Sequence, residues 1–322
     1  MRAVQLQRTG GPEVLNVVDV PVPVAGSGQI LVKHAAVGLN FIDTYQRSGL
    51  YPIELPAILG REGSGVVEAV GAGVSGFSPG DRVAYVTASG GYADYNALPA
   101  GDAILLPKAI DFKTGAACML KGMTAEFLAE RLWPLTAGDH VLVHAAAGGV
   151  GLILCQWLQA KGVKVIGTAG SEAKAAIAKA HGCEHVILYR HADVAAEVRA
   201  LTDGKGVRVA YDSVGKDTAE ASLASLGKRG LFCNFGNASG PAPPVAPLEL
   251  SRGGSLYMTR PTMFDYIATP GEFQASAGAL FKMIASGAVT IEIGQTFPLA
   301  DIREAHEALA SRATTGATVL IP

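Results

Sequence analysis

Along the first 120 residues, apolar positions come in short bursts broken by Gly and Pro. Val14–Val20, Gln29–Val37, Gly65–Val70 and Gly91–Ala97 read as strands, because such bursts between turn residues suit a half-buried pleated surface. Two short helices are expected among them, over Phe41–Arg47 and Asp111–Met119. Together these predict a partly antiparallel, barrel-like β domain. From about Thr124 to Met258 the pattern changes. Apolar runs at Val141–His144, Val163–Thr168, His185–Leu188, Val207–Asp212, Gly230–Phe235 and Ser255–Met258 alternate with helical stretches at Gly151–Lys161, Glu172–His181, Val194–Leu201, Asp217–Leu226 and Pro247–Arg252. That alternation predicts right-handed βαβ units and a parallel, doubly wound sheet. The last 60 residues carry helical stretches at Gly271–Ser286 and Asp301–Ser311 and a closing strand, Ala317–Ile321. Gly240–Pro247 is Pro-rich and reads as a stiff surface loop.

Length and composition narrow the function classes. A chain of 322 residues is expected to form two domains. With 26 basic against 28 acidic residues, it has no electrostatic grip on nucleic acid or an anionic membrane. Cys118, Cys155, Cys183 and Cys233 are dispersed and form no CxxC pair, so neither a structural zinc site nor a disulfide framework is expected. The opening MRAVQLQRTG has no apolar core, so no signal peptide is expected and the location is read as cytoplasmic. The most apolar stretch, Val141–Leu158, is interrupted by His144, a glycine cluster and Gln156, and reads as strand–turn–helix.

That stretch holds the sharpest motif, His144-Ala-Ala-Ala-Gly-Gly-Val-Gly151. Ala147, Gly148, Gly149 and Val150 are candidate pyrophosphate contacts. Gly148 and Gly149 let backbone N–H groups approach phosphate, Gly151 allows helix and strand to pack closely, and the helix N-terminus favours an anion. At the second strand end the chain reads Val165-Ile-Gly-Thr-Ala-Gly-Ser171, without the carboxylate that would select NAD. Gly170, the Ser171 hydroxyl, Lys174, Tyr189 and Arg190 are instead candidates for a 2′-phosphate, which predicts NADPH. Taken singly, Lys174 and Arg190 would read as solvated surface charges.

The segment Val37-Gly-Leu-Asn-Phe-Ile-Asp-Thr-Tyr-Gln-Arg-Ser-Gly-Leu-Tyr-Pro52 resembles the signature of the NADPH:quinone reductases. These are the zeta-crystallin-like branch of the medium-chain dehydrogenase/reductase superfamily. GREGSGVVEAVG, KGMTAEFL, FGNASG, MTRPTMFDYI and SRATTGATVLIP extend the resemblance over nearly the whole chain. It implies a bilobal α/β fold. A GroES-like, partly open β-barrel catalytic domain would comprise residues 1–123 and 263–322, and a Rossmann domain residues 124–262, with the active-site cleft between lobes. A homodimer through the Rossmann domains is also implied. Alcohol dehydrogenases that resemble this chain bind zinc through a Cys in the segment holding Asn40 and a His where Arg61 stands here. A catalytic zinc needs three converging ligands, so no metal is expected.

By resemblance, Asn40, Asp43, Tyr45 and Tyr51 line the substrate side. Thr124, Ser213, Phe235, Gly236, Asn237, Arg260 and Arg312 would contact the cofactor. Helix or turn capping for Asp43, half-buried packing for the tyrosines and surface salt bridges for the two arginines are the plainer readings. His144 is read as a satisfied structural histidine, and no histidine catalyst is expected. Hydride arrival on a quinone yields a delocalised, weakly basic anion, so positioning and modest electrostatics suffice. Two alternatives stand beside quinone reduction. One is an enone or enoyl reductase of the same superfamily. The other is a non-enzymatic crystallin-like or RNA-binding protein, which the absence of basic runs disfavours.

Overall fold

The computed structural model describes all 322 residues. The N-terminal part contains β1 (Arg2–Leu6), β2 (Asn16–Asp19), β3 (Gln29–Leu39), α1 (Phe41–Ser48), β4 (Ala57–Ile58), β5 (Glu62–Val70), β6 (Arg82–Val86), β7 (Tyr95–Pro99) and β8 (Ala103–Leu105). Helix α2 (Phe112–Glu130) follows and outruns the short helix expected at Asp111–Met119, since no proline interrupts it. The strand expected over Gly91–Ala97 begins only at Tyr95. Gly90 has a positive φ of 95°, and Tyr92 is held out of the ladder by backbone bonds to Leu59 and Val4.

The middle of the chain alternates β9 (His140–Val143), α3 (Gly149–Ala160), β10 (Lys164–Ala169), α4 (Glu172–Ala180), β11 (Cys183–Leu188), α5 (Val194–Leu201), β12 (Val207–Asp212), α6 (Ala219–Ser225), β13 (Leu226–Asn234), α7 (Pro247–Arg252) and β14 (Tyr257–Thr259). The remainder supplies α8 (Met263–Tyr266), α9 (Pro270–Ala285), β15 (Ile293–Pro298), α10 (Ile302–Ala310) and β16 (Ala317–Ile321).

These elements form two compact units. One comprises Met1–Met123, Thr269–Phe281 and Ile291–Pro322; the other comprises Thr124–Ala268 and Lys282–Thr290. In the first unit a seven-stranded sheet runs β15-β16-β3-β5-β6-β8, with β7 also on β3. The eleven-residue β3 organises it: its first half pairs with β7, its last residues with β16, and β5 covers it along much of its length. The C-terminal tail therefore returns to the N-terminal sheet, through β16 antiparallel to β3 and β15 parallel to β16. Strand β15 escaped the sequence reading because its burial alternates only weakly, between half-buried and exposed positions.

The second unit is built on a six-stranded sheet of order β11-β10-β9-β12-β13-β14, parallel throughout. Its order reverses between β9 and β12, the switch point where doubly wound sheets bind ligands. Two cysteines distant in sequence meet here, Cys155 and Cys183, with sulfurs 3.4 Å apart in the buried layer.

Candidate active site

In the first unit, α1 opens at Asn40, whose backbone N–H donates to Asp43 Oδ2 at 2.8 Å. A carboxylate in the first helical turn satisfies a donor that the helix leaves unpaired. The Asn40 amide donates through Nδ2 to Glu62 Oε1, also at 2.8 Å. Lys121 Nζ donates to the same oxygen at 2.6 Å, and the Leu120 N–H donates to Glu62 Oε2 at 2.7 Å. Glu62 and Lys121 are both buried. Gly38 makes room for this pair, because a Cβ there would lie 2.3 Å from Glu62 Oε1.

A second chain of side chains starts at Asp43. Tyr92 Oη donates to Asp43 Oδ2 at 2.8 Å. His306 Nε2 lies 3.2 Å from Tyr92 Oη, and Arg47 Nη1 lies 3.0 Å from His306 Nδ1. All four side chains are buried. Gly60, at φ +90°, admits the Tyr92 ring, which a Cβ would meet at 2.5 Å. Burial pushes the Asp43 carboxyl up from 3.8 to about 6, against the bonds from Asn40 and Tyr92 and the charges of Arg61 and Lys121. Asp43 Oδ1 has no hydrogen-bond partner. Burial lowers His306 to about 3, with the Arg47 charge acting in the same direction, so the imidazole is neutral.

Tyr45, two residues after Asp43, is buried. Helix α1 ends at Gly49 in the left-handed region, φ +84°. That turn brings the Tyr51 N–H to the Tyr45 carbonyl at 3.1 Å and sets the two rings edge to face, 5.3 Å apart. Asn40, Asp43, Tyr45 and Tyr51 thus form one local group. Glu62, Tyr92, Lys121 and His306 join it from elsewhere, and the sequence reading assigned none of them a role. The one sequence signal was the three-residue spacing of Asn40 and Asp43, which puts both on one face of a helical segment. His306 carried no local signal.

In the second unit, the expected cofactor residues follow the carboxyl ends of successive strands. Taken across the sheet, these are Tyr189 after β11, Gly170 and Ser171 after β10, the glycine turn after β9, Ser213 after β12, Phe235–Asn237 after β13 and Arg260 after β14. Gly148 is the N-cap of α3. A Cβ at Gly151 would lie 2.4 Å from the Ala145 carbonyl oxygen, so only glycine lets the helix sit this close to the turn. Ser171 caps α4 by accepting from the Lys174 N–H at 3.4 Å. Gly170 faces the Tyr189 hydroxyl, which a Cβ would meet at 2.7 Å. Burial lowers the half-buried Lys174 ammonium, and the Arg190 charge lowers it further. Two cations placed close enough to repel one another suit an anion.

The loops after β12 and β13 are tied together. Asp212 Oδ1 accepts from the Val214 and Gly215 N–H groups at 2.8 and 2.9 Å, and Ala238 N–H donates to the Ser213 carbonyl at 3.2 Å. Gly236 packs on Ser213, where a Cβ would meet its carbonyl oxygen at 2.3 Å. Thr124 is buried on α2, outside this row. Arg312 belongs to the first unit, at φ +60° just past α10. His144 differs from its reading as a satisfied histidine. Nδ1 pairs with Thr168 Oγ1 at 3.1 Å, but the buried Nε2 has no partner.

The donor set around Asn40 does not fit a catalytic zinc. The groups present are an amide already bonded to Glu62, the Arg61 guanidinium, and a Cys118 thiol that burial holds well above its usual range. No group of three or more His, Cys, Asp or Glu is placed to hold a metal ion.

A doubly wound parallel sheet with a glycine turn at its switch-point edge, in a chain that also carries a mixed β-sheet unit, is the architecture of the medium-chain dehydrogenase/reductase class. Family models agree: residues 26–108 match the alcohol dehydrogenase GroES-like domain, and residues 149–282 match the zinc-binding dehydrogenase model. The chain is 50% identical to a quinone oxidoreductase of Pseudomonas aeruginosa, over 100% of this chain and 99% of that protein. It superposes on the Escherichia coli quinone oxidoreductase complexed with NADPH with a TM-score of 0.98, at 45% identity and with full coverage of both chains. A 2-haloacrylate reductase from a Burkholderia species is 40% identical over 99% of this chain and 98% of that protein. The chain belongs to the quinone oxidoreductase family.

Proposed function

We propose that this enzyme reduces quinones with NADPH by direct hydride transfer without a metal. The carrying observation is the nucleotide edge of the six-stranded sheet. It offers a glycine turn for pyrophosphate and, at the β10 end where an NAD site would place a carboxylate, Ser171 and Lys174, with Arg190 just past the neighbouring β11. Full-length identity to quinone oxidoreductases supports the substrate class. When bound, the reduced nicotinamide supplies the hydride. In this reading the α3 N-terminus holds the pyrophosphate, Lys174 and Arg190 neutralise the 2′-phosphate, and Phe235–Asn237 orient the carboxamide. Thr124, Ser213, Arg260 and Arg312 add further cofactor contacts.

On the substrate side, Asn40 has one amide N–H used by Glu62, leaving its second N–H to donate to a quinone oxygen. Tyr45 and Tyr51 offer aromatic faces and hydroxyls to the same ring. The protein acts as a homodimer in the cytoplasm, on a small molecule, and engages neither membrane nor nucleic acid. The open sheet edge at β14, with Tyr257 51% exposed, supports pairing of two Rossmann sheets. No helix is long and apolar enough to cross a membrane.

The test is NADPH oxidation with 1,4-benzoquinone after chelator treatment, with NADH in parallel and a simple enone as second acceptor. Rapid chelator-insensitive turnover that prefers NADPH is expected. Enone reduction with no quinone turnover would overturn the substrate class and favour alkene reduction, a reading supported by the 2-haloacrylate reductase relative.

A further inference from the structure

We infer that Arg47, His306 and Tyr92 form a fixed-direction hydrogen-bond relay that positions the Asp43 carboxylate, and through it Asn40, for the quinone reduction proposed above. The inference rests on that reading of function.

The direction follows from donor inventory. Arg47 only donates, so His306 Nδ1 must accept its Nη1–H at 3.0 Å. The single proton of the neutral imidazole is then on Nε2 and points to Tyr92 Oη at 3.2 Å. With that lone pair engaged, the Tyr92 hydroxyl proton goes to Asp43 Oδ2 at 2.8 Å. Each bond leaves one donor arrangement for the next. The ring planes of Tyr92 and His306 stand at 90°, and Arg47 is anchored at its other side by Nε donating to the Gly10 carbonyl at 3.3 Å. Asp43 Oδ2 finally accepts from the Asn40 N–H, so the relay ends on the residue whose amide is offered to substrate.

The same inventory rules out proton conduction. A conducting chain must accept a proton at its far end, and here that end is a guanidinium, which has no acceptor. The relay fixes geometry and charge. It supports an anion that burial opposes, since Asp43 is buried with Oδ1 unpartnered. The other groups that bear on Asp43 are Arg61 and Lys121, which favour its charge; Glu62 faces Tyr92 from β5. Tyr92, His306 and Arg47 are therefore positioning residues, and Asn40 is the group that meets the substrate.

The experiment compares wild type, Tyr92→Phe, His306→Leu and His306→Gln, each checked for cooperative unfolding and NADPH binding. kcat/KM for 1,4-benzoquinone is measured from pH 5 to 9. In parallel, the Asp43 carboxyl band is titrated by infrared difference against Asp43→Asn. Wild type should lose activity as pH falls through about 6, as Asp43 takes up its proton. Tyr92→Phe removes a bond to the anion, so both the activity limb and the infrared midpoint should move up by about one to two pH units. Activity should then fall roughly two- to tenfold at pH 7 and recover by pH 9. His306→Leu should shift both in the same direction. His306→Gln should restore them, because its amide can accept from Arg47 and donate to Tyr92. Unmoved midpoints in Tyr92→Phe, or His306→Gln no better than His306→Leu, would overturn the relay. Absence of quinone turnover in wild type falls on the proposed function alone, and the infrared midpoints still decide the relay.

Discussion

The two units build their candidate sites by different means. At the edge of the parallel sheet, groups that suit a cofactor are mostly backbone at strand ends, held by local turns: Gly148 caps α3, Ser171 caps α4, and the Ser213 and Gly236 loops are laced by main-chain bonds. In the first unit the candidate site is a buried side-chain network. Asn40, Asp43 and Arg47 come from one helix, Glu62 from β5, Tyr92 from a loop, Lys121 from α2 and His306 from α10. The first arrangement follows from strand–helix alternation, because strands in parallel register bring their ends to one edge. The second costs desolvation of several ionisable groups, and it holds only while every partner is present.

The sharpest way to break this contrast is Glu62→Gln. It leaves the Lys121 ammonium buried beside a neutral amide, and the loss of stability should be about 3–5 kcal/mol by denaturant unfolding. NADPH affinity of the folded fraction should stay at the wild-type level, because the nucleotide edge lies in the other unit. Loss of NADPH binding without loss of stability would contradict the division.

Asp43→Asn should have a smaller effect of opposite sign. The folded protein keeps Asp43 protonated up to about pH 6, whereas the unfolded chain ionises it near 3.8. The folded state therefore holds more protons across this window, and stability falls as pH rises from about 4 to 6, by about 3 kcal/mol in all. Asparagine retains an acceptor for Asn40 and Tyr92 and carries no charge. Its thermal midpoint should exceed wild type above pH 6, and the difference should close toward pH 4. An equal difference at every pH would show that burial of the charge is not its source.

The smallest expected change is at the nucleotide edge. Lys174→Ala should raise KM for NADPH roughly tenfold, the scale of one charge-assisted hydrogen bond, with KM for NADH and the melting temperature unchanged. A parallel rise for NADH would move Lys174 away from the 2′-phosphate.

Legibility in the sequence follows the same divide. Strand β12 and helices α5 and α7 have the bounds expected from their periodicity, and Gly151 has the close contact its motif requires. Helix α2 ran longer than expected, and β15 was missed because neither of its faces is fully buried. The Asn40–Tyr51 segment was legible through family resemblance, and its internal spacing already placed Asp43 near Asn40. Nothing local marked Tyr92 or His306, which sit 49 and 263 positions beyond Asp43 in the chain.

By itself, then, the sequence determined the doubly wound sheet, its glycine turn and the absence of a carboxylate at the β10 end. These depend on spacings of a few residues and on conformations that only glycine or a capping side chain supplies. Family resemblance already joined the C-terminal tail to the N-terminal domain; tertiary structure decided that the joint is β16 antiparallel to β3, and that Arg47, His306 and Tyr92 line up behind Asp43. Hydrogen-bond direction is a property of groups at about 3 Å in space, and chain distance holds no record of it.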